Sequence, residues 1–403
     1  MVDPTRDVPA SDVVSAQLRN RLRVLGHLDL ARATLEQISS AAEPTEPRPV
    51  ALVELHATDA CDLDCVFCTY QDRDTTSFPY DALDRIVPLQ PRAVVIAGGG
   101  EPTLYRSGER TFSDLVLRLA ELLPQAKLGL VSNGVLYPGD EAARRLAWAR
   151  VSLDAATQQV HSLTKRDRQP TFVRRVDNVL AYLAAGVPHV GVGFVYHRYN
   201  FHEAAETVFL VHDEVTRRMK GFLERVNLQF RPTCGIESCE CPSENYSAEK
   251  DRLLTPDLTP SWADERRRQT ALLTERMDRD PGFRSFVETQ TNFLSREVHE
   301  PVPKVGAFHQ CTLALLRVLL RADGTMYPCV MKASQRHAPV ANLLVDNAAQ
   351  ILAGMRRYFE LREGACRGQR DCCNIDGVKN VYLEEALEGA LSGLPVPDSD
   401  PFF

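Results

Sequence analysis

Val50-Ala-Leu-Val-Glu-Leu55 leads through His56–Ala60 into Cys61-Asp-Leu-Asp-Cys65-Val-Phe67-Cys68. The first piece is an apolar run of strand length, and the second is a CxxxCxxC loop. Outward from there the chain repeats one pattern: a short apolar run that stops at chemically capable residues, then a stretch with helical spacing. Tyr80–Leu89 is helical, and Arg92–Ala97 is a strand stopping at Gly98-Gly99-Gly100. Phe112–Leu123 is helical, and Lys127–Val131 stops at Ser132-Asn133-Gly134. Glu141–Trp148 is helical, and Arg150–Leu153 stops at Asp154. Phe172–Ala185 is helical, His189–Tyr196 is a strand, Phe201–Val215 is helical, and Val226–Phe230 stops at Arg231.

Strands alternating with helices imply a parallel α/β sheet with helical crossovers. Residues 50–231 are too few for an eight-unit barrel, which needs about 250 residues. The span suits an open three-quarter barrel or a doubly wound sheet, and both gather chemistry at the C-terminal ends of their strands. The cysteine trio, the glycine run, Ser132-Asn133 and Asp154 all fall at such ends.

Before this region, residues 11–39 carry Val14, Leu18, Leu22, Leu25 and Leu28 at helical spacing, with Ser11 as N-cap. A linker with three prolines follows at residues 40–49, so residues 1–47 read as an N-terminal helical extension. Residues 233–300 read as a helical connecting segment, on Leu272, Leu273, Met277, Phe283, Phe286 and Val287. Its charge predicts a solvated spacer covering the barrel mouth. Residues 301–403 hold five of the 11 cysteines, too many for a passive tail.

The 54 acids outnumber the 47 bases, a formal charge of −7 that argues against a broad electrostatic grip on nucleic acid or anionic membrane. The polar, acidic start is unlike a signal peptide. No uninterrupted apolar run is long enough to span a bilayer, and the nearest, Leu313–Leu320, is broken by Arg317. A cytoplasmic, reducing home follows as the expectation, where clustered cysteines mean metal or catalysis more often than disulfides. On spacing alone, Cys61, Cys65 and Cys68 suit three corners of a cubane iron–sulfur cluster with one iron left open, a zinc site with a remote fourth ligand, or buried thiols.

Three motifs together resemble the radical S-adenosylmethionine (SAM) enzymes: the cysteine trio with aromatic Phe67, Gly98-Gly99-Gly100-Glu101-Pro102-Thr103, and Ser152-Leu153-Asp154. The resemblance covers residues 48–232 and implies a partial (β/α)6 TIM-like barrel. It implies that Cys61, Cys65 and Cys68 hold a 4Fe–4S cluster whose open iron chelates SAM. Reduction by a flavodoxin or ferredoxin would then release a 5′-deoxyadenosyl radical that takes a hydrogen atom from the substrate. Gly98, Gly99 and Gly100 would let the backbone approach the cofactor, and Glu101 would accept from its ammonium group. Ser132 and Asn133 bind ribose or carboxylate, or make a simple turn. Phe67 packs along the adenine or plugs the barrel end. Asp154, with His161 after it, matches the family's next segment or caps a helix.

The run Gly324-Thr-Met-Tyr-Pro-Cys329 resembles the start of the C-terminal auxiliary-cluster domain called SPASM, or its shortened form, twitch. Arg317–Leu320, Ala322-Asp323-Gly324 and Thr325–Val330 make the matching β-hairpin signal. Residues 301–403 are thus expected to be a β-hairpin/α auxiliary-cluster domain. Its 4Fe–4S cluster would be held by Cys311, Cys329, Cys372 and either Cys366 or Cys373, with a structural zinc as the alternative. The chain lacks a CxxC pair before Cys366, so two auxiliary clusters of the complete type are not expected from these residues. Cys234, Cys239 and Cys241 are ligands of a further cluster, a hydrogen-atom donor, or loop thiols.

The resemblance points to a small polar metabolite as substrate: an amino sugar, nucleoside or aminocyclitol of antibiotic biosynthesis, oxidised, epimerised or dehydrated. Arg231, Tyr196 and His197 would bind it or move its proton. The alternative is a maturase of ribosomal peptides. The residues before the first strand are too few for a leader-binding domain with a linker, which ranks this second. A plain electron carrier ranks third, because it needs no open iron beside a glycine run.

Overall fold

The structure, a computed structural model, describes residues 23–40, 49–70, 74–232, 260–294, 311–360 and 374–389. Six parallel strands lie side by side in chain order: β1 (Leu52–His56), β2 (Ala93–Ala97), β3 (Lys127–Ser132), β4 (Leu146–Ser152), β5 (His189–Tyr196) and β6 (Val226–Pro232). Their register sets Leu52 beside Ala93, Arg150 beside Gly191, and Gly193 beside Gln229. This is the expected α/β partial barrel, open and unclosed among the described residues.

The crossovers follow local sequence. Tyr80–Leu89 forms a 3-10 helix rather than an α-helix, with Pro88 inside it removing a backbone donor. After α1 (Leu28–Ser39), which precedes the sheet, α2 (Phe112–Leu122) starts at a capping box between Thr111 and Asp114. The next crossover departs from expectation. Only Asp140–Ala143 is helical, and residues 146–148, expected in that helix, belong to β4. Pairing of Leu128 with Leu146 and of Gly129 with Trp148 overrides a helical spacing that the same apolar residues satisfy. α3 (Gln158–Lys165) and α4 (Phe172–Ala185) link β4 to β5, and α4 stops at Gly186 with φ of +98°. α5 (Ala204–Arg218) leads toward β6.

The sheet continues past β1. β7 (Arg317–Leu320) pairs parallel to it, and β8 (Thr325–Tyr327) and β9 (Ala341–Asn342) follow antiparallel. The hairpin forms at Asp323-Gly324, where Gly324 has φ of +81°. On the other flank, α6 (Pro260–Arg279) and α7 (Pro281–Gln290) bury Leu273, Met277, Phe283, Phe286 and Val287. Arg276 is ion-paired to Asp213 of α5, and the Phe283 ring meets His212 edge-on. Asn292 then exchanges two hydrogen bonds with the Phe230 backbone on the β6 edge. The described part of this segment therefore has a buried face and is not a solvated spacer. Farther on, α8 (Ala348–Glu360) precedes α9 (Asn374–Leu387).

Strand alternation gives the sheet two unlike faces. Val53, Leu55, Val94, Ile96, Leu130, Val151, Val192 and Leu228 point into one apolar core against the helices. Each such burial contributes roughly 1.5–3 kcal/mol. The other face carries Glu54, His56, Gly129, Trp148, Arg150, Gly191, Gly193, Asn227, Gln229 and Arg231. Polar and charged residues on this interior face alternate with glycines and with Val95, Val131 and Val195. Among the described residues no helix is long and apolar enough to cross a membrane.

Candidate active site

The expected rim exists. The cysteine loop follows β1, the glycine run follows β2, Ser132-Asn133 ends β3, Asp154 follows β4, His197 follows β5, and Arg231 ends β6. Cys61, Cys65 and Cys68 are half-buried and free of disulfides. Backbone bonds hold the loop from two sides. Gly100 N and Glu101 N donate to Thr58 O and Ala60 O at 2.9 and 2.7 Å. Asp64 N and Val66 N donate to Lys165 O and Thr164 O at 3.1 and 3.0 Å. Asn133 Nδ2 adds a 2.7 Å bond to Asp62 Oδ1.

The glycines have a role inside the chain. A Cβ on Gly99 would strike the Asp59 carboxylate, and one on Gly100 would strike the Ala60 carbonyl. What comes close to them in the structure is the cysteine loop itself. Glu101 is 3 % exposed and is a local hub. Its Oε1 accepts from Thr103 N, Thr103 Oγ1 and Ser132 Oγ at 3.1, 2.6 and 2.7 Å, and its Oε2 from Asn133 N at 2.6 Å. Burial pushes its carboxyl pKa up, against the pull of these donors. Glu101, Ser132 and Asn133 thus tie the ends of β2 and β3 to the cysteine loop.

Three buried cations surround this rim, and none has a motif that marks it in sequence. Lys165, at the end of α3, donates to Asp154 Oδ2, and its ammonium lies 5.0 Å from the centre of the Phe67 ring. Asp154 Oδ1 accepts from Val195 N at 2.5 Å. Asp154 holds a left-handed φ of +58°, and the helix cap is Thr157 instead. Arg175 donates to Asn133 O and Thr171 Oγ1. The thiol of Cys65 acts electrostatically on both Lys165 and Arg175. Arg321 of the hairpin pairs with Asp59 at 2.9 Å, both fully buried. A loop of three thiols flanked by buried positive charge suits an anionic thiolate–iron cluster. Among the described residues, no three His, Cys, Asp or Glu side chains stand gathered as a ready cage.

The substrate candidates separate. The His197 ring lies 5.7 Å from the Phe67 ring and is 1 % exposed. Its Nδ1 accepts from Tyr199 N at 3.2 Å, so Nε2 carries the proton, and that buried donor has no partner among the described residues. Tyr196 points the other way, into the core against Phe201 at 5.1 Å. Arg231 is exposed and donates to Gln229 at 3.0 Å.

Burial pulls His197 down to about 4, and burial together with the nearby Arg175 and Lys165 charges pulls His161 down as well. Both therefore stay neutral in the folded chain where the unfolded chain takes up protons. Stability is expected to be full above about pH 6.5 and to fall as pH drops toward 4. The loss should reach a few kcal/mol in urea titrations between pH 7 and 4.5, and His197→Gln should flatten the slope. An unchanged slope in that variant would show that His197 does not titrate this way.

The second cysteine region is partly described. Cys311 and Cys329 are half-buried and free of disulfides. Burial, then the nearby Cys329, pushes the Cys311 thiol up to about 12. Asn380 Nδ2 lies 3.6 Å from Cys311 Sγ. Tyr70 connects the two regions: its carbonyl accepts from Cys68 Sγ at 3.3 Å, and its hydroxyl donates to Val330 O at 3.4 Å. Cys234, Cys239, Cys241, Cys366, Cys372 and Cys373 lie outside the described residues.

An open parallel barrel with a three-thiol loop after its first strand and a glycine-glutamate turn after its second is the arrangement that the resemblance to the radical SAM enzymes implies. Residues 55–211 match the Radical SAM superfamily, and the chain carries a domain of that family. Among solved structures, Streptococcus suis SuiB bound to S-adenosylmethionine is similar at a TM-score of 0.52 and 15 % identity, over 81 % of this chain and 72 % of that one. SuiB bound to its precursor peptide SuiA is similar at 0.52 and 14 %, over 93 % and 78 %. At such identities the likeness is one of fold. No curated protein matches the chain.

Proposed function

We propose that this chain cleaves SAM reductively and uses the resulting 5′-deoxyadenosyl radical to take a hydrogen atom from a small polar metabolite. Cys61, Cys65 and Cys68 would hold a 4Fe–4S cluster, which when bound would supply the electron for that cleavage. Phe67 offers the adenine a ring face. Glu101, with one acceptance on Oε2 against three on Oε1, retains acceptor capacity for an ammonium group. Ser132, Asn133 and Asp154 fix the strand ends around the cofactor. The neutral His197 Nε2–H and the Arg231 guanidinium hold the substrate from the mouth side. Cys311 and Cys329, with residues of the 366–373 segment, hold the auxiliary 4Fe–4S cluster, and the substrate is oxidised, epimerised or dehydrated.

The observation that carries this reading is the polar interior face meeting the three-thiol loop at one mouth. Anaerobic incubation with dithionite and SAM should release 5′-deoxyadenosine. The release should rise several-fold with one of a panel of amino sugars, nucleosides and aminocyclitols. If peptides raise it and no metabolite does, the reading passes to the peptide maturase. If wild-type chain neither binds nor cleaves SAM, the enzymatic reading falls.

A further inference from the structure

Arg150 stands apart from the other cations of the barrel. Lys165, Arg321 and Arg317 each face a carboxylate, on Asp154, Asp59 and Asp376. Arg150 has no hydrogen bond and no ion pair among the described residues. It rises from the middle of β4, and the neighbouring strand makes room for it. Gly191 and Gly193 are the two β5 positions beneath its stem. A Cβ on Gly191 would lie 3.3 Å from Arg150 Cγ, and one on Gly193 would lie 3.6 Å from Cδ and 3.8 Å from Nε. The side chain therefore climbs along β5 from Gly191 toward Gly193, aiming its guanidinium at the mouth.

The charged groups that act on it are Arg231, Glu54 and Asp154, and they do not neutralise it. Arg231 is a second cation on the same face. Glu54 is held by His56 at 3.2 Å, and Asp154 by Lys165. Burial and the Arg231 charge pull the guanidinium down to about 9, so it is a cation set in a costly place without an anion. A guanidinium keeps its proton at neutral pH. Evolutionarily cheaper side chains would fill this interior, and a planar fork of donors aimed at an open mouth matches an oxyanion.

We propose that Arg150 is the anion subsite of the barrel, binding a carboxylate or phosphoryl group of the substrate between β4, β5 and the Arg231 side of the mouth. This rests on reading the barrel interior as the substrate site, and it narrows the metabolite to one carrying such an anion beside its hydroxyl or amino groups.

Malonate and inorganic phosphate are the probes, titrated by calorimetry into anaerobically reconstituted full chain saturated with SAM. Wild type should bind one equivalent of at least one of them, more weakly as KCl is raised. Stronger malonate binding identifies a carboxylate group, and stronger phosphate binding a phosphoryl group. Arg150→Met should weaken that anion at least tenfold while changing SAM affinity less than about threefold. Arg150→Lys should retain a charge but lose the fork, and fall between the two. It also serves as the readout should the methionine variant not fold. The proposal is overturned if wild type binds neither anion, if both variants bind as wild type does, or if Arg150→Met loses SAM, which would assign Arg150 to the cofactor. No turnover is needed, so absence of 5′-deoxyadenosine release would sink the proposed reaction without touching this test.

Discussion

Replacing Cys61, Cys65 and Cys68 together by alanine should lower iron in the anaerobically reconstituted protein by about four atoms per chain and abolish 5′-deoxyadenosine release. The fold should survive the change. The loop is held by the backbone of residues 58–66 and by Asp62, and the weak contact of Cys68 Sγ with Tyr70 O is among the thiol interactions lost. Melting temperature is the control for that. The iron that remains is informative as well: about four atoms would assign one auxiliary cluster, and about eight would require the 234–241 cysteines too. Retention of all the iron by the triple variant would refute the assignment of these thiols.

Asp154→Asn is expected to destabilise the chain by about 3 kcal/mol, read from urea denaturation at pH 7. The reason is geometric. Lys165 is 2 % exposed, and Asp154 is its anionic partner in the barrel wall. Asparagine keeps an acceptor for Val195 N and tolerates the left-handed backbone at this position, so the measured loss isolates the uncompensated ammonium. Adding Lys165→Met should recover most of the stability, because the charge that cost free energy is gone. A double variant as unstable as the single one would place the effect in the backbone of residue 154. The double variant should still show weakened SAM cleavage, since it removes a cation facing the Phe67 ring and Cys65.

The strands and the rim were legible because they are local. His189–Tyr196 and Phe172–Ala185 match their observed bounds, since alternation and helical spacing there agree with burial. The rim motifs sit where parallel strands end, which topology alone dictates. The region around residues 141–148 misled because Ala142, Ala143, Leu146 and Ala149 satisfy helical spacing while tertiary pairing claims Leu146 for a strand. Lys165, Arg175 and Arg321 were invisible for another reason. Arg321 meets Asp59 and Arg175 meets Asn133 across a long chain separation, Lys165 meets Asp154 from the far end of the helix that follows it, and no spacing rule reports such contacts. Arg150 did leave a trace: a single charge inside a strand, next to a strand carrying Gly191 and Gly193 on one face. Tyr196 ends a strand as Arg231 does, but its parity puts it in the core.

The pairing of β7 with β1 sets an order of events during synthesis. β1 leaves the ribosome long before β7, and one of its two edges is satisfied only when residues 317–320 have been made. At ribosomal speeds that interval is on the order of 10 s or more. Throughout it, Leu52–Leu55 presents open backbone donors and acceptors that would template pairing with another chain. A nascent or truncated chain ending before residue 317 should therefore need a chaperone to stay in solution.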